Sequence, residues 1–164
     1  MEIAKARIED LNEIMEVYDA ARRFMRLNGN MNQWINGYPQ PELVRQDIEN
    51  GNLYVCRQTG MIAGAFAFII GQDPTYSHVE GGSWHSDQPY GTIHRLGSNG
   101  CVRGVGKACF DYCKSAMDYL RADTHQDNIP MQRVLEANGF RRCGIIYLLD
   151  GSPRIAYDWH RREQ

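Results

Sequence analysis

Apolar residues recur at Leu11, Ile14, Met15, Tyr18 and Met25, the three-and-four spacing that lays one stripe along a helix. Asp10 stands where an N-cap belongs, and Asn28-Gly29 where such a helix stops. A second helix is predicted from Pro41, a residue suited to a first helical turn, through Leu43, Val44 and Ile48 to Gly51. Short apolar runs then take over. Ile3 to Arg7, Leu53 to Arg57, Met61 to Ile70, Thr92 to Leu96, Leu120 to Asp123, Arg142 to Leu149 and Arg154 to Trp159 read as strands. The second and third are joined by Gln58-Thr59-Gly60, and the last two close as a hairpin across Asp150-Gly151-Ser152-Pro153. Two further helices are predicted: Val105 to Tyr119, built on Ala108, Phe110, Tyr112, Ala116 and Met117, and Pro130 to Asn138, stopped by Gly139. Residues 71–90 are rich in Gly, Ser, Asp and Pro and predict an irregular excursion.

No repeat or low-complexity linker interrupts this series, so residues 1–164 read as a single domain with one buried core. A formal net charge of −2 argues against nucleic acid or an anionic membrane as the main partner. The five cysteines, Cys56, Cys101, Cys109, Cys113 and Cys143, contain no C-x-x-C pair, so neither a zinc knuckle nor a thioredoxin-like site is indicated, and no metal is expected. Met1 to Lys5 carry no apolar leader, and no run reaches the ~18 apolar residues of a membrane span. A soluble chain in a reducing cytoplasm is the expectation, with a homodimer left open.

The chemistry begins at Arg103-Gly104-Val105-Gly106-Lys107-Ala108. A glycine-rich turn that opens a helix gathers backbone N–H groups at the positive end of the helix dipole, a cradle for phosphate. The string is neither G-x-x-x-x-G-K-S/T nor G-x-G-x-x-G, which argues against a P-loop NTPase and a Rossmann dinucleotide site. It resembles R/Q-x-x-G-x-G/A, the pyrophosphate loop of the GNAT family of acyl-CoA-dependent N-acetyltransferases, with Arg103, Gly106 and Ala108 in the defined positions. The downstream Asn128-Ile129-Pro130-Met131 and Asn138-Gly139-Phe140, and the order β-α-α-β-β-β-α-β-α-β-β, extend the likeness over nearly the whole chain, most specifically residues 93–157.

That resemblance implies an α/β (α+β) fold: one twisted, mixed but mostly antiparallel sheet of about six to seven strands, flanked by about four helices. It implies acetyl-CoA as co-substrate. Thr92 to Ser98 would pair its backbone with the pantetheine arm, and a backbone N–H among Leu96, Gly97 and Ser98 would meet the thioester oxyanion. Residues Arg103, Gly104, Val105, Gly106, Lys107 and Ala108 would hold the pyrophosphate. Asn128 would point at the arm, or cap its own helix, or do both, and Met131 would pack on the pantetheine or simply in the core. Lys107 in a first helical turn opposes the dipole unless a phosphate offsets it, although a solvated lysine reads equally well.

Acetyl transfer to an amine needs a proton acceptor, because alkylammonium groups titrate near pH 10. Asp123, five positions before Asn128, matches the family's frequent acidic residue, and the alternative is a structural carboxylate at a strand end. His125, two residues on, is the second candidate, with Glu80 and His94 weaker ones. Leu135 stands where many family members carry a tyrosine that protonates the departing thiolate. Tyr147 and Tyr157 are the nearest substitutes in sequence.

Specificity in this fold comes from the first two helices and the loops near them. Met31-Asn32-Gln33-Trp34 and Gly37-Tyr38-Pro39 bring aromatic side chains there, and Tyr76, His78, Glu80, Trp84, His85 and Tyr90 cluster in the excursion. Rings beside a carboxylate suit a small cationic amine. Trp34 is therefore expected to line the acceptor site, with Glu80 or Trp84 facing it. The function so predicted is acetyl transfer from acetyl-CoA to a primary amine, a small molecule rather than a peptide amine. Protein N-terminal or lysine acetylation is the enzyme alternative, and a non-catalytic CoA-binding module the alternative from another class.

Overall fold

The structure is a computed structural model and describes residues 1–162. Its elements are β1 (Glu2–Lys5), α1 (Leu11–Leu27), α2 (Pro41–Glu49), β2 (Leu53–Gln58), β3 (Met61–Ile70), β4 (Gly91–Ser98), α3 (Val105–Ala116), β5 (Tyr119–Thr124), α4 (Ile129–Ala137), β6 (Arg141–Tyr147) and β7 (Pro153–His160). The strands form one seven-stranded sheet in the order β1-β2-β3-β4-β5-β7-β6. Every neighbouring pair is antiparallel except β4 and β5, which run parallel. This is the predicted order of elements and the predicted mixed, mostly antiparallel α/β architecture.

Helices cover both faces, which is why β3 reads as the nearly unbroken apolar run Met-Ile-Ala-Gly-Ala-Phe-Ala-Phe-Ile-Ile. Small Ala65 and Ala67 meet Ile14, Val17, Tyr18 and Val44 from α1 and α2. Phe66 and Phe68 on the opposite face meet Cys109, Phe110 and Cys113 from α3, together with Leu135 from α4. A third cluster, with Tyr76, Tyr90, Tyr119 and Cys143, fastens the excursion onto β5, β6 and β7. Cys56, Cys109, Cys113 and Cys143 are buried free thiols, as expected of small apolar packers, and Cys101 is exposed.

Three local expectations shift. Asp10 precedes α1, but its side chain turns back to accept the Arg7 N–H at 2.9 Å and to pair with Arg57 at 2.8 Å. The cap is displaced by a short 3-10 turn, Ile8–Asp10. Helix α3 ends at Ala116 rather than Tyr119, because Met117 is already extended and Tyr119 enters the sheet fully buried. The excursion is less irregular than its composition implies: Pro74–Tyr76 forms a 3-10 turn, and Glu80 bridges to Ile145 beside β6. No helix among the described residues is long and apolar enough to cross a membrane.

Candidate active site

The site follows from two irregularities in β4. The parallel partnership of β4 with β5 holds only at Gly91–Leu120 and Thr92–Arg121, after which the two strands part. On the other edge, His94 pairs with Ala67 and Gly97 with Ala65, so two β4 residues, Arg95 and Leu96, stand against the single Phe66. That is a β-bulge, which bends the strand and re-aims its backbone. Arg95 takes φ +53° there, a conformation that a non-glycine residue holds only when its surroundings enforce it. The surroundings are specific: the Tyr18 hydroxyl of α1 donates to the Arg95 carbonyl at 2.8 Å, and Asp47 of α2 grips its guanidinium with two bonds of 2.8 and 2.9 Å. Burial pushes the Tyr18 phenol far above its usual value, so it remains a donor.

The parted strands open a cavity of about 740 Å³ that passes through the sheet. Its walls on the α3/α4 side include Ile93, Phe110, Ala122, Met131 and Leu135; on the other side stand Trp34, Tyr38, Asp73, His94, Asp123 and Arg154. Thr124 lines it as well, and its buried Oγ1 has no hydrogen-bond partner among the described residues. A buried hydroxyl left unpaired is costly, so one that lines a cavity fits a polar ligand such as an amide of a pantetheine arm.

Asp123 is held where it lies. The Tyr76 hydroxyl donates to its Oδ2 at 2.6 Å, bringing the excursion down onto β5. Burial first, then the Asp123 charge, push the Tyr76 phenol well above its usual value and keep its proton in place. The neighbouring acid is differently occupied: His94 Nε2 lies 3.1 Å from Asp73 Oδ2. Burial raises the Asp73 pKa, but hydrogen bonds from His94 and Thr75 outweigh it and hold the carboxyl down at about 2. Asp73 is thus a weak base, engaged by His94 and Thr75, whereas Asp123 keeps an oxygen not engaged by Tyr76.

At the other end, α3 begins at Val105 after Gly104, whose φ of +91° is one that L side chains rarely adopt. The first backbone bond of the helix is Ala108 N–H to Gly104 O at 2.9 Å, so the N–H groups before it face outward from the helix end. Gly106 lies against α4: a Cβ there would stand 2.9 Å from Val134 Cγ1, one helical turn from the cavity-lining Met131. The glycine turn therefore packs through Gly106 on α4, next to the α3/α4 side of the gap, while Gly104, Lys107 and Ala108 line a separate surface groove with Met1, Ile3 and Tyr112. Lys107 is exposed and paired with Asp111 at 2.5 Å, the solvated reading of that residue, and Arg103 is exposed as well.

Leu96, Asn128 and Met131 all line the cavity. Gly97 and Ser98 lie beyond the bulge, Gly97 close to the Tyr18 ring and Ser98 with its hydroxyl accepting the Gly100 N–H at 3.1 Å. Asn128 serves two neighbours at once: its Oδ1 accepts the Met131 N–H at 3.1 Å and its Nδ2 donates to Gln33 Oε1 at 2.9 Å. That second bond fastens the α1–α2 loop to α4. Arg26 fastens the loop from below, donating to the carbonyls of Asn30, Gln33 and Trp34. Trp34 packs edge-on against Tyr18 and Tyr38, on the face opposite Gly106, and still lines the cavity because the gap joins the two faces.

Other sequence candidates fall elsewhere. His125 lies past the end of β5 and outside the cavity lining, its Nδ1 accepting the Asp127 N–H at 3.0 Å. Burial, then Arg154, lower its pKa, which favours the neutral ring. Glu80 and Trp84 do not line the cavity either. Glu80 accepts from the Tyr147 hydroxyl at 3.0 Å. Trp84 lies 4.1 Å from the Arg121 guanidinium and donates its indole N–H to Tyr76 O, supporting Tyr76 rather than meeting an acceptor. Tyr157 is buried with its hydroxyl toward Glu136, and neither it nor Tyr147 reaches the lining. His85, Cys143 and Asp158 also gather on the excursion side, where the Asp158 carboxylate is filled by His85 and Tyr119. Sequence reasoning missed Asp73, Thr124 and Arg154, which no local motif marks.

No family model matches the chain, and no curated protein does. Solved structures do match. A GNAT-family acetyltransferase from Streptococcus agalactiae is 31% identical over 99% of this chain and 96% of its own, with a TM-score of 0.88. A putative acetyltransferase from Staphylococcus aureus is 21% identical over 98% of this chain and 99% of its own, with a TM-score of 0.72. A GNAT-like decarboxylase, GphF, in complex with isobutyryl-CoA is 13% identical over 99% of this chain and all (100%) of its own, with a TM-score of 0.67.

Proposed function

The chain belongs to the GNAT family of acetyltransferases, and we propose that it transfers an acetyl group from acetyl-CoA to a primary amine, a small molecule in preference to a protein. The observation that carries this reading is the gap between β4 and β5, with a tethered carboxylate, Asp123, in its wall and the glycine turn of α3 packed on α4 next to it. Pantetheine laid along the bulged edge of β4 would place its thioester between Leu96 and Asn128, with the carbonyl oxygen near the Leu96 N–H.

The amine nitrogen attacks the thioester carbon from the Asp123 side. A C–N bond forms, the carbonyl electrons move to oxygen, and the nitrogen, now positively charged, becomes acidic. Asp123 accepts that proton directly or through a water. Collapse breaks the C–S bond and releases CoA thiolate. Leu135, buried and lining the cavity, offers no proton, so the thiolate leaves without a tyrosine at that position; an ordinary thiol pKa near 8.5 permits this.

Release of free thiol from acetyl-CoA, measured against a panel of primary amines, tests this reading. Turnover well above the background hydrolysis of acetyl-CoA is the expected result. Tight acetyl-CoA binding with no amine-dependent thiol release would support a non-catalytic CoA-binding module instead, as the missing tyrosine allows.

A further inference from the structure

The acceptor end of the cavity carries a positive charge that acetyl transfer does not use. Asp123 is paired across the ladder with Ala156, and Arg154 stands two residues along β7. The two charged side chains therefore project from the same face as diagonal neighbours, a relationship that sets backbones about 7–8 Å apart. Arg154 is partly buried and lines the cavity. Among the described residues, its side chain's one hydrogen bond runs from Nη1 to the adjacent Pro153 carbonyl at 2.8 Å. Among the described residues no carboxylate comes within 4.0 Å of it. Asp123 and Asp150 are the acids that feel its charge, and Asp150 accepts the Ser152 N–H at 2.9 Å in its own turn. A half-buried guanidinium that lines a cavity and has no carboxylate paired to it is free to take a ligand's anion, and its planar fork suits a carboxylate.

Resting on the transfer reading above, we propose that the acceptor is a free α-amino acid, its amino group at Asp123 and its carboxylate on Arg154. Two charge-assisted hydrogen bonds of about 2.8 Å, on either side of a molecule whose nitrogen and carboxylate oxygens lie ~3 Å apart, span about 8–9 Å. The amino acid's own side chain lies toward Trp34, Tyr38 and Leu148, which favours an apolar or aromatic one. An alkylamine leaves Arg154 without its anion, and a peptide N-terminus presents an amide where the carboxylate belongs.

The test is thiol release from acetyl-CoA with apolar and aromatic L-amino acids, each set beside its decarboxylated amine and its amide. The amino acid is expected to exceed both in kcat/KM by about tenfold or more, since a site built for a polar group discriminates against an analogue that lacks it. Arg154→Gln should reduce that preference about tenfold, and Arg154→Lys should restore part of it. Equal use of amino acid, amine and amide, or an unchanged preference in Arg154→Gln, overturns the inference and leaves the transferase reading standing. Thiol release with none of the compounds overturns both.

Discussion

Asp123→Asn is expected to lower kcat by about two orders of magnitude or more, the usual cost of losing a general base, with KM for acetyl-CoA within about twofold of the parent. The variant isolates charge from shape. Asparagine offers a carbonyl oxygen where Oδ2 accepts the Tyr76 hydroxyl at 2.6 Å, so the excursion stays fastened to β5. What disappears is an acceptor for the proton shed by the attacking nitrogen. Stability should fall by no more than about 1 kcal/mol, the net worth of one hydrogen bond changed from charged to neutral. Stopped-assay kinetics beside a thermal melt separate the two effects. A kcat within about threefold of the parent would remove Asp123 from the chemistry and return it to the alternative reading, a structural carboxylate at a strand end.

Gly104→Val should weaken acetyl-CoA binding by roughly two orders of magnitude, equivalent to one or two charge-assisted hydrogen bonds to the pyrophosphate. At φ +91° a β-branched residue is strained, and the loop is expected to relieve that strain by rotating the peptide groups that would face the phosphates. No atom stands within 4 Å of the position a Cβ would take, so packing survives and the melting temperature should drop only a few degrees. Gly106 is the less informative position. A Cβ there would press on Val134 Cγ1 at 2.9 Å, so substitution would loosen the α3–α4 contact and confound binding with stability. Isothermal titration of the folded Gly104→Val variant decides the point; unchanged affinity would mean that the α3 turn does not hold the pyrophosphate.

Much of the fold was legible because its helical stripes and apolar strand runs are strong. The stripe Leu11, Ile14, Met15, Tyr18 and Met25 announces α1, and the apolar run of β3 announces a strand, whose cover on both faces only the structure shows. What the sequence did not show was where strands fail to pair. The β4–β5 gap depends on a partnership that ends at Thr92, and the bulge at Arg95 depends on Tyr18 and Asp47, distant in the chain. Neither leaves a local pattern of residues. The glycine turn was legible from its own residues as a phosphate cradle, Asp123 was reached through the family resemblance, and Arg154 was read only as a strand residue. The excursion misled for a related reason. Its aromatic residues and acids looked like a pocket wall, but the Glu80–Ile145 bridge folds it back onto β6, and Arg121 draws Trp84 away from the cavity. Tyr76, 47 positions from Asp123, is the residue of that segment that reaches the site's carboxylate.

The central claim is that the gap between β4 and β5 is the channel for the acyl-CoA arm. A crystal structure of the protein with CoA tests it most directly. The account predicts pantetheine threaded between the parted strands, a polar atom of the arm paired with Thr124 Oγ1, the sulfur beside Leu96 and Asn128, and the pyrophosphate on the N–H groups that open α3. The pantetheine arm lying instead along the outer groove of α3, against Met1, Ile3 and Tyr112, with the gap closed to it, would contradict the account.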